Sequence, residues 1–231
     1  MGKNKKILVF CDEHWHPGQT VVDGLAPLKE EGFIFDIIMD ATDFKPEMLQ
    51  NYSTVLMSNC DEISAQNKES WKTPEIQRAF TKFVEDGGGL LVTHSGTVAG
   101  EETEELDKLI GCRFTYHPAQ TTVLVQPLKP HPITQGVESF WEMDEHYHLE
   151  LLQEDMDILF ASYSPPLGEE SKYDEDEYHN YPAYLSLSGY VRSQGKGRVC
   201  VLTPGHNPAV WLQENFRRTL KNALHWLTAK N

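Results

Sequence analysis

Short apolar runs rich in β-branched residues alternate with helical patterns in the first hundred residues, and this alternation constrains the fold most strongly. Thr73 and Pro74 suit the N-cap and the first position of a helix, and Gly87–Gly89 ends that helix. Strands that alternate with helices imply right-handed crossovers, so we predict an α/β protein with a mostly parallel sheet. The predicted elements are strands at Lys6–Phe10, Phe33–Met39, Thr54–Ser58 and Leu90–Thr93, and a helix at Thr20–Glu31.

The second half of the chain is less regular and is predicted to contain an irregular β-rich insertion. Arg113–His117 and Thr121–Gln126 are predicted to pair as neighbouring strands. The last helix is predicted from Asn215 to about Thr228, because apolar residues recur there at helical spacing. No repeat or linker divides the sequence, so residues 1–231 are predicted to form a single domain. Further strands are predicted at Asp157–Tyr163, Ala183–Tyr190 and Arg198–Thr203.

The charge of the chain excludes two classes of partner. The 231 residues carry a formal net charge of −15 at pH 7, with acid concentrated in Glu138–Asp157 and Glu169–Glu177. Such a surface repels nucleic acid and anionic membranes, so neither is predicted as a partner. No apolar run approaches the roughly 18 residues of a membrane span. A small molecule therefore remains the expected ligand, and a homo-oligomer is compatible with this composition.

The cysteines and the N-terminus predict a cytoplasmic protein. Cys11, Cys60, Cys112 and Cys200 are scattered and form no C-x-x-C pair, which is typical of buried, reduced thiols. The apolar stretch Ile7–Phe10 is too short for the core of a signal peptide.

Histidines follow several of the predicted strands at the point where each strand ends. In open parallel sheets, ligands bind beyond the carboxyl ends of the strands, which all meet at one edge. The residues placed there are His14, Trp15 and His16 after the first strand, Asp61 after the third, His94 and Ser95 after the fourth, and His206 after the last. A second segment, Asp144–His148, adds carboxylates, imidazoles and a phenol. Imidazoles and carboxylates are the groups that acid–base chemistry and metal ligation need.

Motifs for nucleophilic and nucleotide chemistry are absent from the sequence. The turn at Thr93–Thr97 lacks the flanking glycines of a G-x-S-x-G elbow, and no cysteine is there, so Ser95 is not favoured as a nucleophile. There is no P-loop and no G-x-G-x-x-G, so binding of a nucleotide phosphate has no support.

An ordered set of motifs resembles the ThuA-like (trehalose utilisation) family, within the class I glutamine amidotransferase-like fold. The matches run in order from about residue 6 to residue 228. They are Gly87–Gly96, with its glycine turn, strand and histidine, the H-P-I-x-x-G segment His131–Gly136, the D-E-x-Y segment Asp144–Tyr147, the G-K-G-R segment Gly195–Arg198, and Gly205-His206.

This resemblance implies a flavodoxin-like, three-layer fold with helices on both faces of the sheet. It also implies a role in bacterial carbohydrate metabolism, on trehalose or a related glycoside. Histidine stands at His94 where true amidotransferases have their nucleophilic cysteine, which argues against glutamine hydrolysis.

We therefore expect an enzyme that acts on a small sugar derivative by His/Glu acid–base chemistry, without a cysteine nucleophile. The expected catalytic residues are His94, Glu145, His206 and Tyr147, and the expected substrate-binding residues are His14, Trp15, His16, Ser95 and Asp61. One alternative is a metal-dependent hydrolase that holds zinc or another divalent cation through His14, His94 and His206. Another alternative is a small-molecule-binding module without catalysis.

Overall fold

The computed structural model describes residues 5–165 and 185–229, and within these ranges the chain forms eleven β-strands and five α-helices. The strands are β1 (Lys6–Cys11), β2 (Ile34–Ile38), β3 (Thr54–Ser58), β4 (Gly89–Thr93), β5 (Cys112–Tyr116), β6 (Thr121–Pro127), β7 (Phe140–Asp144), β8 (His148–Leu151), β9 (Asp157–Tyr163), β10 (Leu185–Gln194) and β11 (Gly197–Leu202). The helices are α1 (Gly18–Leu25), α2 (Pro74–Glu85), α3 (Glu104–Ile110), α4 (Pro208–Leu212) and α5 (Glu214–Thr228).

Nine of the strands form one sheet in the order β2-β1-β3-β4-β11-β10-β9-β6-β7. The first five strands in this order run parallel to one another. Every residue of β3 and β4 is buried, as expected for central strands that are covered on both faces. The predicted mixed α/β fold with a large parallel sheet is confirmed. The remaining four strands, β10, β9, β6 and β7, extend the sheet in antiparallel order.

Helices pack on both faces of the parallel half of the sheet, because successive side chains of a strand point to opposite faces. On one face, Ile7 and Val9 of β1 belong to a core cluster with α1, α4 and α5. On the other face, Leu8 and Phe10 belong to a second cluster with α2 and α3. The two clusters hold the strands rigidly and therefore fix the positions of the loops that leave them.

The predicted pairing of Arg113–His117 with Thr121–Gln126 is wrong. β5 pairs with β8 in a separate two-stranded antiparallel sheet, whereas β6 pairs with β7 and β9 in the large sheet. The short connection between them resembles a hairpin, but the buried side chain of Val125 joins the core of the large sheet instead. The segment 117–120 therefore crosses from one sheet to the other.

Two predicted elements have different boundaries in the structure. The predicted helix at Thr20–Glu31 is α-helical only as far as Leu25 and continues as a 3₁₀ helix over Ala26–Glu31. Pro27 lies in its first turn, where it has no N–H to donate to the α-helical ladder. β10 continues beyond the predicted end at Tyr190 and turns into β11.

Part of one predicted strand, Ala183–Tyr184, and the acidic stretch Glu169–Glu177 lie outside the described residues. No helix within the described ranges is long and apolar enough to span a membrane. All four cysteines are buried and free.

Candidate functional site

Three histidines meet at the edge of the sheet where β1, β4 and β11 have their carboxyl ends. The ring centroids of His16 and His94 are 4.8 Å apart, those of His16 and His206 are 4.7 Å apart, and those of His94 and His206 are 5.6 Å apart. Each histidine belongs to the loop that follows one of these strands, and parallel strands direct such loops to the same edge. Topology alone therefore brings together residues that are up to 190 positions apart in the sequence.

His94 lies at a strained turn from β4 into a short 3₁₀ helix, with a φ of 44° that residues other than glycine seldom adopt. Two glycines leave room for this turn. A Cβ atom on Gly96 would lie 2.3 Å from the carbonyl oxygen of Met57, and one on Gly205 would lie 3.0 Å from the Cβ of His94. The buried ring donates from Nδ1 to the carbonyl oxygen of Thr203 at 2.8 Å. This bond leaves the lone pair of Nε2 directed into the cluster.

Two acidic residues at the end of β7 complete the cluster from the antiparallel half of the sheet. Asp144 accepts hydrogen bonds from the backbone N–H groups of Gly205 and His206, both at 2.9 Å, and so joins β7 to the loop after β11. The Oε2 atom of Glu145 lies 3.1 Å from Nδ1 of His206 and 3.3 Å from Nε2 of His94. The carboxylate of Glu145 is therefore at the centre of the histidines.

His16 contacts two carboxylates through its two ring nitrogens. Nδ1 donates to Oε1 of Glu13, while Nε2 lies 4.0 Å from Oε2 of Glu145 and 2.9 Å from Nδ1 of His206. Burial by itself would lower the pKa of His16, but the hydrogen bonds with Glu13 and Glu145 outweigh it and raise the pKa to about 9. The imidazole is therefore positively charged at neutral pH when no cation occupies the cluster.

The pKa values of the other cluster members are shifted as well, and the resulting charges offset one another. Burial would raise the pKa of Glu145, but the surrounding imidazoles of His16, His206 and His94 hold it well below its usual range. Burial lowers the pKa of His94 and raises the pKa of Asp144. An ionised carboxylate, a charged imidazole and a neutral imidazole therefore share one small volume, an arrangement suited to moving a proton or binding a cation.

The cluster opens into a cavity of about 1020 Å³. Its walls include three aromatic side chains, Trp15, Phe114 and Tyr147. Trp15 is 67% exposed, so most of its indole is free to contact a ligand. The ring of Tyr147 is stacked on His94, with centroids 3.9 Å apart. The expected catalytic and aromatic residues therefore lie around a single concave space.

Two further predicted residues, Ser95 and Asp61, also line the cavity. The Oγ atom of Ser95 is buried and has no hydrogen-bond partner among the described residues. Asp61, in contrast, accepts hydrogen bonds from the hydroxyl of Ser70 and from the backbone N–H groups of Trp71 and Lys72. The carboxylate of Asp61 thus holds a loop at the cavity wall, whereas the hydroxyl of Ser95 is buried and unpaired among the described residues.

His14 lies outside the cluster. Its side chain is exposed, and its ring packs edge-on against Trp15 with centroids 4.7 Å apart. His16, two residues further on, is the histidine of this loop that lies beside His94 and His206. The predicted metal-ligand set of His14, His94 and His206 therefore differs at one position from the set that the structure brings together.

Two residues of the crossing segment 117–120 reach the cavity and were missed by the sequence reasoning. Nε2 of His117 lies 3.5 Å from Oε2 of Glu145, and its Nδ1 donates to the carbonyl oxygen of Pro118 at 2.8 Å. Gln120 donates from its amide nitrogen to Nε2 of His206 at 2.8 Å. His117 is the last residue of the predicted strand Arg113–His117, and a histidine at a strand end is a usable signal, but Gln120 carries no signal in the sequence.

Glu13 is the third residue that the sequence reasoning missed. It is buried to 1% exposure beneath the loop after β1, and it holds the ring of His16. Its other carboxylate oxygen accepts the backbone N–H of Trp15 at 2.9 Å. Glu13 therefore fixes both the histidine and the aromatic residue of this loop.

The donor atoms of four residues are close enough to share one metal ion. His16, His94, Glu145 and His206 each offer one ligand atom, and all four atoms lie within 4.8 Å of one another. The outward hydrogen bonds of His16 and His94 resemble those that orient histidine ligands, since each occupies Nδ1 and leaves Nε2 free. The buried Nε2 of His94 has no hydrogen-bond partner among the described residues, as expected for an atom that binds a metal ion. The donor set suits zinc and similar divalent cations.

The amide of Gln120 determines which nitrogen of His206 holds the proton. With its amide nitrogen toward His206, Gln120 donates to Nε2 of that ring, which places the ring proton on Nδ1, 2.9 Å from Nε2 of His16. A half-turn of the amide would present its oxygen to Nε2 and would leave Nδ1 free to accept from the charged His16 or to bind a cation. Binding of a metal ion through Nδ1 of His206 therefore goes with the second orientation.

The fold and the site define an α/β protein with a His/Glu site at the carboxyl ends of its parallel strands. The family model ThuA, described as trehalose utilisation, matches residues 6–227. The chain belongs to the ThuA family, and the resemblance drawn from its motifs is confirmed. No curated protein matches the chain.

Solved structures of ThuA-like proteins share this fold. One from Bacteroides uniformis ATCC 8492 is 20% identical with a TM-score of 0.72, and the match covers 98% of this chain and 92% of that chain. Another from Parabacteroides merdae ATCC 43184 is 18% identical with a TM-score of 0.74, covering 97% and 90%. The cold-adapted β-galactosidase of Rahnella sp. R3 is 15% identical with a TM-score of 0.60, and the match covers 93% of this chain but only 30% of that one.

Proposed function

We propose that this ThuA-family protein is an enzyme that acts on a small carbohydrate derivative at a divalent metal centre. The ligands in this proposal are His16, His94, Glu145 and His206. The observation that carries it is the convergence of four donor atoms within 4.8 Å of one another at the wall of a large cavity. Without a cation or a shared proton, the inward lone pairs and the carboxylate would repel one another.

Each residue then has a defined role. Glu13 and the carbonyl oxygen of Thr203 orient two of the imidazoles, and Asp144 holds the loop that carries the third. A bound divalent cation would polarise an oxygen atom of the substrate or lower the pKa of a bound water. Tyr147 and Ser95 belong to the wall of the same cavity.

The carbohydrate part of the proposal has two supports. The family model is described as trehalose utilisation, and one fold relative is described as a β-galactosidase. The cavity offers an exposed indole, Trp15, beside several carboxylates, and such surfaces suit the C–H faces and the hydroxyl groups of sugars. Trehalose or a related glycoside is the first substrate class to test.

A second candidate is acid–base chemistry by the same residues without a metal. The contact of 2.9 Å between Nε2 of His16 and Nδ1 of His206 favours it, because a single proton can bridge two imidazole nitrogens at this distance. In this mechanism Glu145 accepts a proton, and His206 or His94 returns it.

Metal analysis of the purified protein separates the two candidates. Under the metal proposal, elemental analysis finds close to one equivalent of zinc or a similar cation, and calorimetry of the stripped protein shows tight rebinding of zinc. Glu145→Gln removes one ligand charge and should weaken zinc binding at least tenfold, as should His16→Gln. Glu150→Gln, an exposed carboxylate on β8, and His14→Gln are matched controls that should bind zinc normally. If the stripped protein has no zinc affinity, the metal proposal fails and the acid–base candidate remains.

A substrate screen tests the carbohydrate part separately. The full-length protein is incubated with trehalose, maltose, lactose and their monosaccharides, and turnover is followed by chromatography. Ligand-induced stabilisation without any turnover would support the binding-module alternative instead. Loss of both stabilisation and turnover for every sugar would contradict a carbohydrate function.

We also propose the finer features of the architecture. The order β2-β1-β3-β4-β11 of the parallel half is that of flavodoxin-like sheets, and the two core clusters support a three-layer arrangement. The family match over residues 6–227 supports one ThuA-like domain over residues 1–231, with the β-rich insertion within it. Four free, buried thiols fit a cytoplasmic protein, and light scattering of the purified protein would establish whether it forms a homo-oligomer.

A further inference from the structure

We propose that the cavity selects uncharged sugars and excludes sugar phosphates and sugar acids. This inference rests on the proposed carbohydrate function and names the class of substrate for that same site. It is carried by the excess of carboxylates along the cavity wall, by the presence of one lysine and no arginine among the described residues there, and by the aromatic surface beside them.

Carboxylates dominate the ionisable groups of the cavity wall. Glu13 and Glu145 are paired with histidines of the cluster, and Asp61 is bonded to backbone N–H groups. Glu62, Glu101 and Glu102 also line the cavity, and the last two are exposed. An anionic group that enters the cavity must therefore approach the exposed carboxylates of Glu101 and Glu102.

Positive charge is scarce on the same wall. Among the described residues that line the cavity, Lys68 is the only lysine or arginine. Its Nζ atom lies 5.5 Å from the centroid of the Trp15 ring, so it is placed over an aromatic face. Phosphate groups are usually bound by several Arg or Lys side chains or by the N–H groups of a glycine-rich loop. One lysine over an indole does not supply such a site.

The remaining groups suit a neutral polyol. Trp15 presents an exposed ring to the cavity, and Ser95 presents a buried hydroxyl without a partner among the described residues. Sugar hydroxyl groups can donate to Glu101 and Glu102, since ionised carboxylates accept hydrogen bonds only. The net charge of −15 adds a further repulsion that slows the approach of anions to the whole surface.

Pairs of ligands that differ by one anionic group test this inference. Calorimetric titration of the full-length protein compares trehalose with trehalose 6-phosphate, glucose with glucose 6-phosphate, and galactose with galacturonate. We expect the neutral member of any pair that binds to bind at least tenfold more tightly. If the anionic member binds as tightly or more tightly, the inference is overturned while the carbohydrate function stands. If no member of any pair binds, the carbohydrate function fails and this inference fails with it.

Two double variants that remove the same amount of charge test whether the cavity wall causes the selectivity. Glu101→Gln combined with Glu102→Gln removes two carboxylates from the cavity wall, and we expect it to reduce the discrimination to less than threefold. Glu104→Gln combined with Glu150→Gln removes the same charge from exposed positions that do not line the cavity, and it should keep the tenfold discrimination. If both double variants lose the discrimination between neutral and anionic ligands equally, the net charge of the protein causes the selectivity, and the role of the cavity wall is overturned.

Discussion

The ion pairs of His16 predict that the metal-free protein loses stability as the pH rises above neutrality. The pKa of His16 is raised from 6.5 to about 9 in the folded chain. A raised pKa contributes stability that is fully present below the unfolded value and is lost as the pH rises through the folded value. The relevant window is therefore about pH 6.5 to 9.

The size of this loss of stability follows from how far the pKa of His16 is raised. A displacement of about 2.5 pKa units corresponds to about 3 kcal/mol of unfolding free energy, since one unit is worth about 1.4 kcal/mol. The side chain of His16 is only 13% exposed, so screening by solvent reduces this value little. The pKa values of His94 and His146 are lowered by burial, so those residues change stability below pH 6.5 and leave this window unaffected.

Urea unfolding in the presence of EDTA, at four pH values between about 6.5 and 9, measures this loss. The wild-type free energy of unfolding should fall more across the window than that of His16→Gln, which keeps only the fall near pH 9 that its four buried cysteines cause, because burial raises the pKa of each thiol. Zinc binding requires a neutral His16, so zinc affinity should rise over the same pH range. The reasoning is refuted if the wild-type protein shows no pH dependence, or if His16→Gln loses stability to the same extent.

Three further predictions concern single positions. Gln120→Glu should accept a hydrogen bond from the Nε2–H group of His206 and leave the lone pair of Nδ1 free, so calorimetry should show zinc binding strengthened about tenfold; unchanged or weaker binding would contradict this role. Gly96→Ala should destabilise the protein by about 2 kcal/mol or more in urea unfolding, because its Cβ would lie 2.3 Å from the carbonyl oxygen of Met57; a smaller loss would show that the turn can relax. Trp15→Ala should abolish binding of sugars while Trp15→Phe retains it; equal affinities in titration would remove Trp15 from the binding surface.

Local sequence patterns were sufficient to locate much of the site. Apolar runs define the parallel strands, and a general rule of such sheets then directs His94 and His206 to one edge. The D-E-x-Y segment indicated Glu145 and Tyr147 only through resemblance to a family, because nothing in the local pattern connects β7 with the loop after β11. In sheet order β7 is the fourth strand beyond β11, yet Asp144 binds the backbone of that loop directly.

The sequence does not distinguish His14 from His16 as the histidine that joins the cluster. Both follow β1 and both are imidazoles, so composition and spacing do not separate them. The buried carboxylate of Glu13 captures the ring of His16 and directs its Nε2 inward, while His14 turns out against Trp15. Such selection depends on contacts made by the folded loop, which no periodic pattern records.

The sequence by itself determined the class of fold, the family, the edge of the sheet that carries the site and most of the chemical groups in it. These follow from short-range rules of strand burial, helix capping and connection handedness. The tertiary structure decided which histidines meet, and that His117 and Gln120 join them. It did so because β5 pairs with β8 rather than with β6, which carries the segment between them across to the cavity. Pairing between distant strands depends on how the whole core packs, so it becomes known only when the chain is folded.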